Sequence, residues 1–122
     1  MSARDTVVLN ERLRGDTLRT IGDRHDLTPE GVRLVVAREG RRRIDELEMR
    51  LMVGRRTGEV EAFVIPDHGG PDFDVALGYF HWAMRELAKR GVKVRVHYRP
   101  AHNGVVFGVE DVTPYRSRTE DE

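Results

Sequence analysis

The chain has 122 residues, with 21 Lys+Arg against 21 Asp+Glu and no cysteine. That length holds one compact domain or two very small ones and excludes a large cleft enzyme. Zero net charge excludes a highly cationic coat protein, and the missing cysteines exclude disulfides, cysteine-based zinc sites and thiol catalysis.

Hydrophobic residues make up 39% and charged residues 34%, the composition of a globular protein with a heavily charged surface. The neutral total divides unevenly: +3 from Met1 to Gly58 and −3 from Glu59 to Glu122. Apolar runs are only a few residues long, which excludes a membrane span. Met1 to Asp5 lacks the apolar stretch of a signal peptide, so a cytoplasmic location is expected.

In chain order, Val7 to Arg14 reads as a short helix closed by Gly15. Asp16 or Thr17 can cap a second helix, Thr17 to His25, by accepting a bond from a free backbone N–H. Asp26-Leu27-Thr28 is a tight turn. Thr28 is a good N-cap, Pro29 fits the first helical position, where its missing N–H costs nothing, and Glu30 favours the positive helix end. The third helix therefore starts at Pro29 and runs at least to Arg38. Gly40 weakens it by about 1 kcal/mol relative to Ala; the Ile44, Leu47, Leu51 spacing has it resume or continue into the early fifties.

Beyond a joint at Gly54 to Gly58, Glu59 to Pro66 alternates like a strand, and Asp67-His-Gly-Gly-Pro71 is a loop. Asp72 to Arg90 is an amphipathic helix with Val75, Leu77, Phe80, Met84, Leu87 and Ala88 near one side and Gly91 as its C-cap. Val92 to Arg99 alternates almost without fault, Pro100 to Gly104 turns the chain, and Val105 to Val112 returns as the hairpin partner. The expected fold is α+β: an N-terminal three-helix helix-turn-helix (1–56), a small β-α-β-β domain (57–114) and a disordered tail (115–122).

The segment from Thr17 to Val35 carries the most information. A helix-turn-helix needs apolar residues such as Ile21, Leu27, Val32 and Val35 to lock two helices, a small residue such as Gly22 at their close approach, and a cap that starts the second helix. All are present. That second helix projects its N-terminal residues into the major groove. The pattern Thr17-Leu18-x-x-Ile21-Gly22, four residues, then Leu27-Thr28-x-Glu30-x-Val32-Arg33 resembles region 4 of bacterial sigma-70 factors, which binds the promoter −35 element. The resemblance covers roughly a fifth of the chain. It implies DNA-facing positions for Thr28, Glu30 and Arg33, with Glu30 accepting from a cytosine amine and Arg33 contacting phosphate or guanine. Pro29, Gly31 and Leu34 stand where that family has long polar side chains, so the −35 sequence itself is not the expected target. The layout of a helix-turn-helix before a small α+β domain is also similar to that of actinobacterial phage immunity repressors.

Further expected DNA contacts are Thr17 and Pro29 beside these positions, and the arginines Arg38, Arg41, Arg42 and Arg43, which would clamp phosphates. The competing reading of the arginines is a solvated face that pairs with Glu39, Asp45 and Glu46. On the strand 92–99, Lys93, Arg95, His97 and Arg99 fall on one face and Val92, Val94, Val96 and Tyr98 on the other. The valines would pack on the helix, leaving Lys93, Arg95 and Arg99 to follow phosphates or to face water, partly neutralised by Glu59 and Glu61. Trp82 lies off the assigned apolar face and is the candidate protein contact. Asp67, His68, Asp72 and Asp74 read as loop and capping residues rather than metal ligands, and no catalytic constellation or nucleotide loop is found.

The function expected from these residues is a sequence-specific double-stranded DNA-binding transcriptional regulator, a repressor, with no enzymatic activity, cofactor, metal or membrane partner. It acts alone or as a homodimer. The alternatives are a sigma-region-4-like adaptor on RNA polymerase or another protein, and a non-catalytic DNA-binding subunit of a recombinase.

Overall fold

Seven elements follow the chain in a computed structural model that describes residues 3–67 and 71–114. They are α1 (Ala3–Leu13), α2 (Leu18–His25), α3 (Pro29–Thr57), β1 (Glu61–Pro66), α4 (Pro71–Lys89), β2 (Val94–Ala101) and β3 (Gly104–Asp111). The fold class is α+β, with three helices followed by a β-α-β-β unit. The expected tail at 115–122 and His68 lie outside the described residues.

Local signals set where α2 and α3 begin and end, whereas α1 starts at Ala3, before the expected Val7. Thr17 and Thr28 both take extended backbone and accept an N–H bond three residues on, from Thr20 and Gly31, each at 3.0 Å. Each cap satisfies a donor the helix leaves free. Between them Asp26 adopts the left-handed conformation, φ 58°, which aspartate tolerates better than most residues. Helix α3 then runs 29 residues to a left-handed Gly58, a length of about 43 Å.

Helix α3 does not stop at Gly40. It changes the face it buries. Each residue turns the helix by about 100°, so Val32, Val35 and Glu39 share one side, while Gly40, Ile44, Leu47, Leu51 and Gly54 lie about 100° round from them. All eight are buried. The first side closes a core with Val8 of α1 and Ile21 of α2. The second closes another with Phe63, Ile65, Phe80, Ala83, Leu87 and Val109 from the sheet and α4. The two cores therefore share α3 and do not part at residue 57. A second tie lies at Gly78 of α4, where a β-carbon would stand 2.2 Å from the Leu13 carbonyl oxygen of α1.

The sheet is antiparallel in the order β1-β3-β2. Strand β3 pairs with β1 from Glu61↔Val109 to Pro66↔Gly104 and with β2 from Val94↔Asp111 to Ala101↔Gly104. The parallel crossover from β1 through α4 to β2 is thus split by β3. Helix α4 packs against β1, α1 and α3, and it reaches β3 through the stacked rings of Phe80 and Phe107, 4.6 Å apart. The expectation that this strand's valines pack inward holds for Val92 and Val94, which lie against the core that includes Phe80, Ala83 and Leu87 of α4, and is corrected for Val96 and Tyr98. Val92 and Val94 are half-buried, but Val96 is 42% and Tyr98 64% exposed.

The α4 face is also corrected. Of the expected residues Phe80, Met84 and Leu87 do face the core, joined by Ala76, Tyr79, Trp82 and Ala83, whereas Ala88 is exposed. Trp82 packs inside the chain, 5.6 Å from the Tyr79 ring centroid and against Gly40 of α3.

Candidate nucleic-acid interface

Gly22 is buried where α2 turns toward α3, and a β-carbon there would stand 2.4 Å from the Leu27 carbonyl oxygen. No side chain fits at that contact. With both helices capped by threonine, α2 and α3 are held in one relative orientation against α1. The face of α3 opposite that core is open. Glu30, Leu34, Ala37 and Arg41, spaced i, i+4, i+7 and i+11, form one stripe along it, and all four are exposed.

At the start of the stripe Thr28, Pro29, Glu30 and Arg33 are all exposed. Arg33 forks onto Glu30: its Nε donates to Oε1 at 3.0 Å and its Nη2 to Oε2. The guanidinium holds the Glu30 carboxyl below the usual carboxylate range, and the carboxylate raises Arg33 in turn. The pair presents a carboxylate edge that can accept from a cytosine amine beside guanidinium N–H groups that can donate to guanine or phosphate. Its net charge is near zero, so the pair itself exerts little general attraction on a polyanion.

The four arginines farther along α3 divide sharply. Arg42 donates from Nε and Nη2 to Glu39, at 3.2 and 2.7 Å, and from Nη1 to Glu46 at 2.7 Å. Arg43 reaches Glu39 at 3.4 Å and lies over the Tyr79 ring. Arg38 donates to the buried Asp5 of α1 at 2.9 Å. Carboxylates of their own chain hold these three, and for Arg42 and Arg43 this is the ion-pairing arrangement with Glu39 and Glu46. Arg41 is exposed and carries no ion pair among the described residues.

The sequence reading missed Arg19. It is exposed in the first turn of α2 beside Thr17 and Thr20 and carries no ion pair among the described residues. In DNA-bound helix-turn-helix proteins the helix before the recognition helix crosses the backbone, and Arg19 has the exposed position and unpaired charge that a phosphate contact there needs. The signal was available in its position two residues after the cap.

The basic row of the second unit is shorter than its alternation implied. Lys93 precedes β2, and its backbone bonds to Thr113 and Val112. Arg95 stands 3.6 Å and His97 2.6 Å from Glu110 of β3, and His97 is the main cause of the lowered Glu110 carboxyl. Glu59 and Glu61 do not neutralise this row, because β3 separates β1 from β2; Glu61 pairs with Arg50 at 3.1 Å. Arg99 is exposed and carries no ion pair among the described residues.

Among the described residues no group of three or more His, Asp or Glu is placed to hold a metal ion. No helix among them is long and apolar enough to cross a membrane. Compared with protein families, curated proteins and solved structures, the chain matches none of them.

Proposed function

We propose that this protein is a sequence-specific double-stranded DNA-binding regulator that represses transcription by occupying its site in the cytoplasm. The observation that carries this reading is the open stripe on α3, which starts at a Thr-capped, Pro-initiated helix end and lies opposite the face locked to α1 and α2. Helix α3 enters the major groove with Glu30 and Arg33 at base edges and Thr28 and Pro29 at the groove wall. Arg19 and Arg41 take phosphates.

The second unit joins the DNA contact. The α3 side that holds it lies about a quarter turn from the stripe, whereas the first core lies nearly opposite. Lys93 and Arg99 then supply cations for phosphates, with Arg95 joining them on exchange of its 3.6 Å pairing with Glu110, and one copy can bind an asymmetric site. The test is selection of bound duplexes from a random pool, followed by the mass of the complex. The expected result is a defined site bound with strong salt dependence. A pool that stays random at low salt contradicts sequence-specific binding.

A second reading, an adaptor for RNA polymerase or another protein, has one observation in its favour. Met49, Met52, Val53 and Val60 are exposed, and Met49, Val53 and Val60 line a cleft of about 360 Å³ between the end of α3 and β1. An adaptor co-purifies with polymerase and loses it on Met49→Glu; a DNA-binding regulator keeps its duplex affinity in that variant.

A further inference from the structure

In the middle of its charged stripe, α3 exposes an apolar side chain. Leu34 is 53% exposed, and the core around Val8, Ile21, Val32 and Val35 closes without it. Ala37, one turn on, is exposed too. A lone exposed leucine is ordinary. This one stands between the Glu30–Arg33 pair and Arg41, on the face aimed away from the protein. Its nearest stripe neighbour is small enough to let it approach a surface closely.

We infer that Leu34, with Ala37 beside it, is a specificity-determining contact to the 5-methyl group of a thymine in the major groove. The inference rests on the DNA-binding reading above and adds which base the middle of α3 selects. Among the base edges of that groove the thymine methyl is the apolar group; guanine, adenine and cytosine present acceptors and donors there. A leucine against those polar edges removes their water and returns no hydrogen bond, which is unfavourable. Against a methyl it buries apolar surface, so attraction and exclusion select the same base. The distance is also defined. Leu34 lies four residues beyond Glu30, about 6 Å along the helix, or about two base steps at 3.4 Å each. The selected thymine therefore lies about two base pairs from the pair read by Glu30 and Arg33.

The test replaces each thymine of the selected duplex, one at a time, by deoxyuridine, which removes the methyl and nothing else. One position is expected to lose about fourfold in affinity, the value of one buried methyl-sized group. Leu34→Ala is expected to lose a similar factor on the unmodified duplex and to become indifferent to deoxyuridine at that position. Its melting temperature should stay unchanged, because the side chain is outside the core. Placing 5-methylcytosine there in place of thymine, paired with guanine, recovers part of the affinity that cytosine loses. The inference is overturned if every thymine tolerates deoxyuridine, or if Leu34→Ala keeps the same penalty. A pool from which no duplex is selected overturns it together with the DNA-binding reading. A selected site without methyl sensitivity overturns this inference alone.

Discussion

A β-carbon on Gly40 would stand 3.0 Å from Cζ2 of Trp82, so these two residues set how closely α3 and α4 approach. The helix-weakening residue is kept where the long helix passes from one core to the other. Gly40→Ala gains about 1 kcal/mol of helix propensity but forces the packed indole to shift by a few tenths of an ångström, an overpacking that costs about 1–3 kcal/mol. We expect a net loss of about 1 kcal/mol in urea denaturation. In a Trp82→Leu background the contact is gone, and Gly40→Ala should instead stabilise by about 1 kcal/mol. The same sign in both backgrounds would contradict the packing account.

At Gly22 the obstacle is backbone, the Leu27 carbonyl oxygen, and it cannot rotate away. Gly22→Ala should cost about 2–3 kcal/mol through overpacking, despite alanine's better propensity. Gly31→Ala meets only the Thr28 hydroxyl at 3.2 Å and should stay within about 1 kcal/mol of wild type. Thermal melting of the two variants side by side measures the contrast.

Glu39 is 4% exposed and ties α3 to α1. It accepts from Thr6 of α1 at 3.4 Å as well as from Arg42 and Arg43. The bond from Arg42 holds its carboxyl below the usual range, against the opposing effect of burial. A carboxyl lowered in the folded state contributes stability above the ordinary glutamate value of about 4.3, and that contribution is lost as pH falls through the lower folded value. Glu39→Gln should cost about 1–3 kcal/mol at pH 7 and make the acid limb of the stability profile shallower. Denaturation midpoints from pH 7 to pH 3 follow both effects.

Arg41 and Arg42 are adjacent and should behave differently. Arg41→Ala should reduce the slope of log affinity against log salt by about 0.9 and leave stability within about 0.5 kcal/mol. Arg42→Ala leaves the buried Glu39 short of its main partner and should cost about 1–3 kcal/mol of stability. A salt titration and a melt on each variant distinguish a phosphate contact from a structural arginine.

The parts of this fold legible in the sequence are those whose cause lies within a few residues. Thr17, Thr28, Pro29, the turn at Asp26 and the alternation of β2 and β3 each announce themselves locally. The rest depends on partners distant in the chain. That Asp5 holds Arg38 across 33 positions has no local signature, nor does the insertion of β3 between β1 and β2, which replaces Glu59 and Glu61 by Glu110 beside the basic row. The α4 seam was legible at Phe80, Met84 and Leu87 but not at Ala76 and Ala83, small residues that weigh little in a count of large apolar ones. Gly40 reads as a weak point through its low helix propensity, and the shift of the buried face there shows only once both cores are in place. At the candidate site, the positions of Glu30 and Arg33 were legible from the cap, but their pairing and the exposure of Leu34 needed the helix in place against its core.

The central claim is that the first turns of α3 read base edges. Its most direct test is titration of the selected duplex, and of every single-base-pair change in it, with wild type and with Arg33→Ala. The account predicts that the variant melts like wild type, binds the selected duplex more weakly by about 1–3 kcal/mol, and loses its preference at one base pair. Equal affinity and an unchanged preference at every position would contradict it.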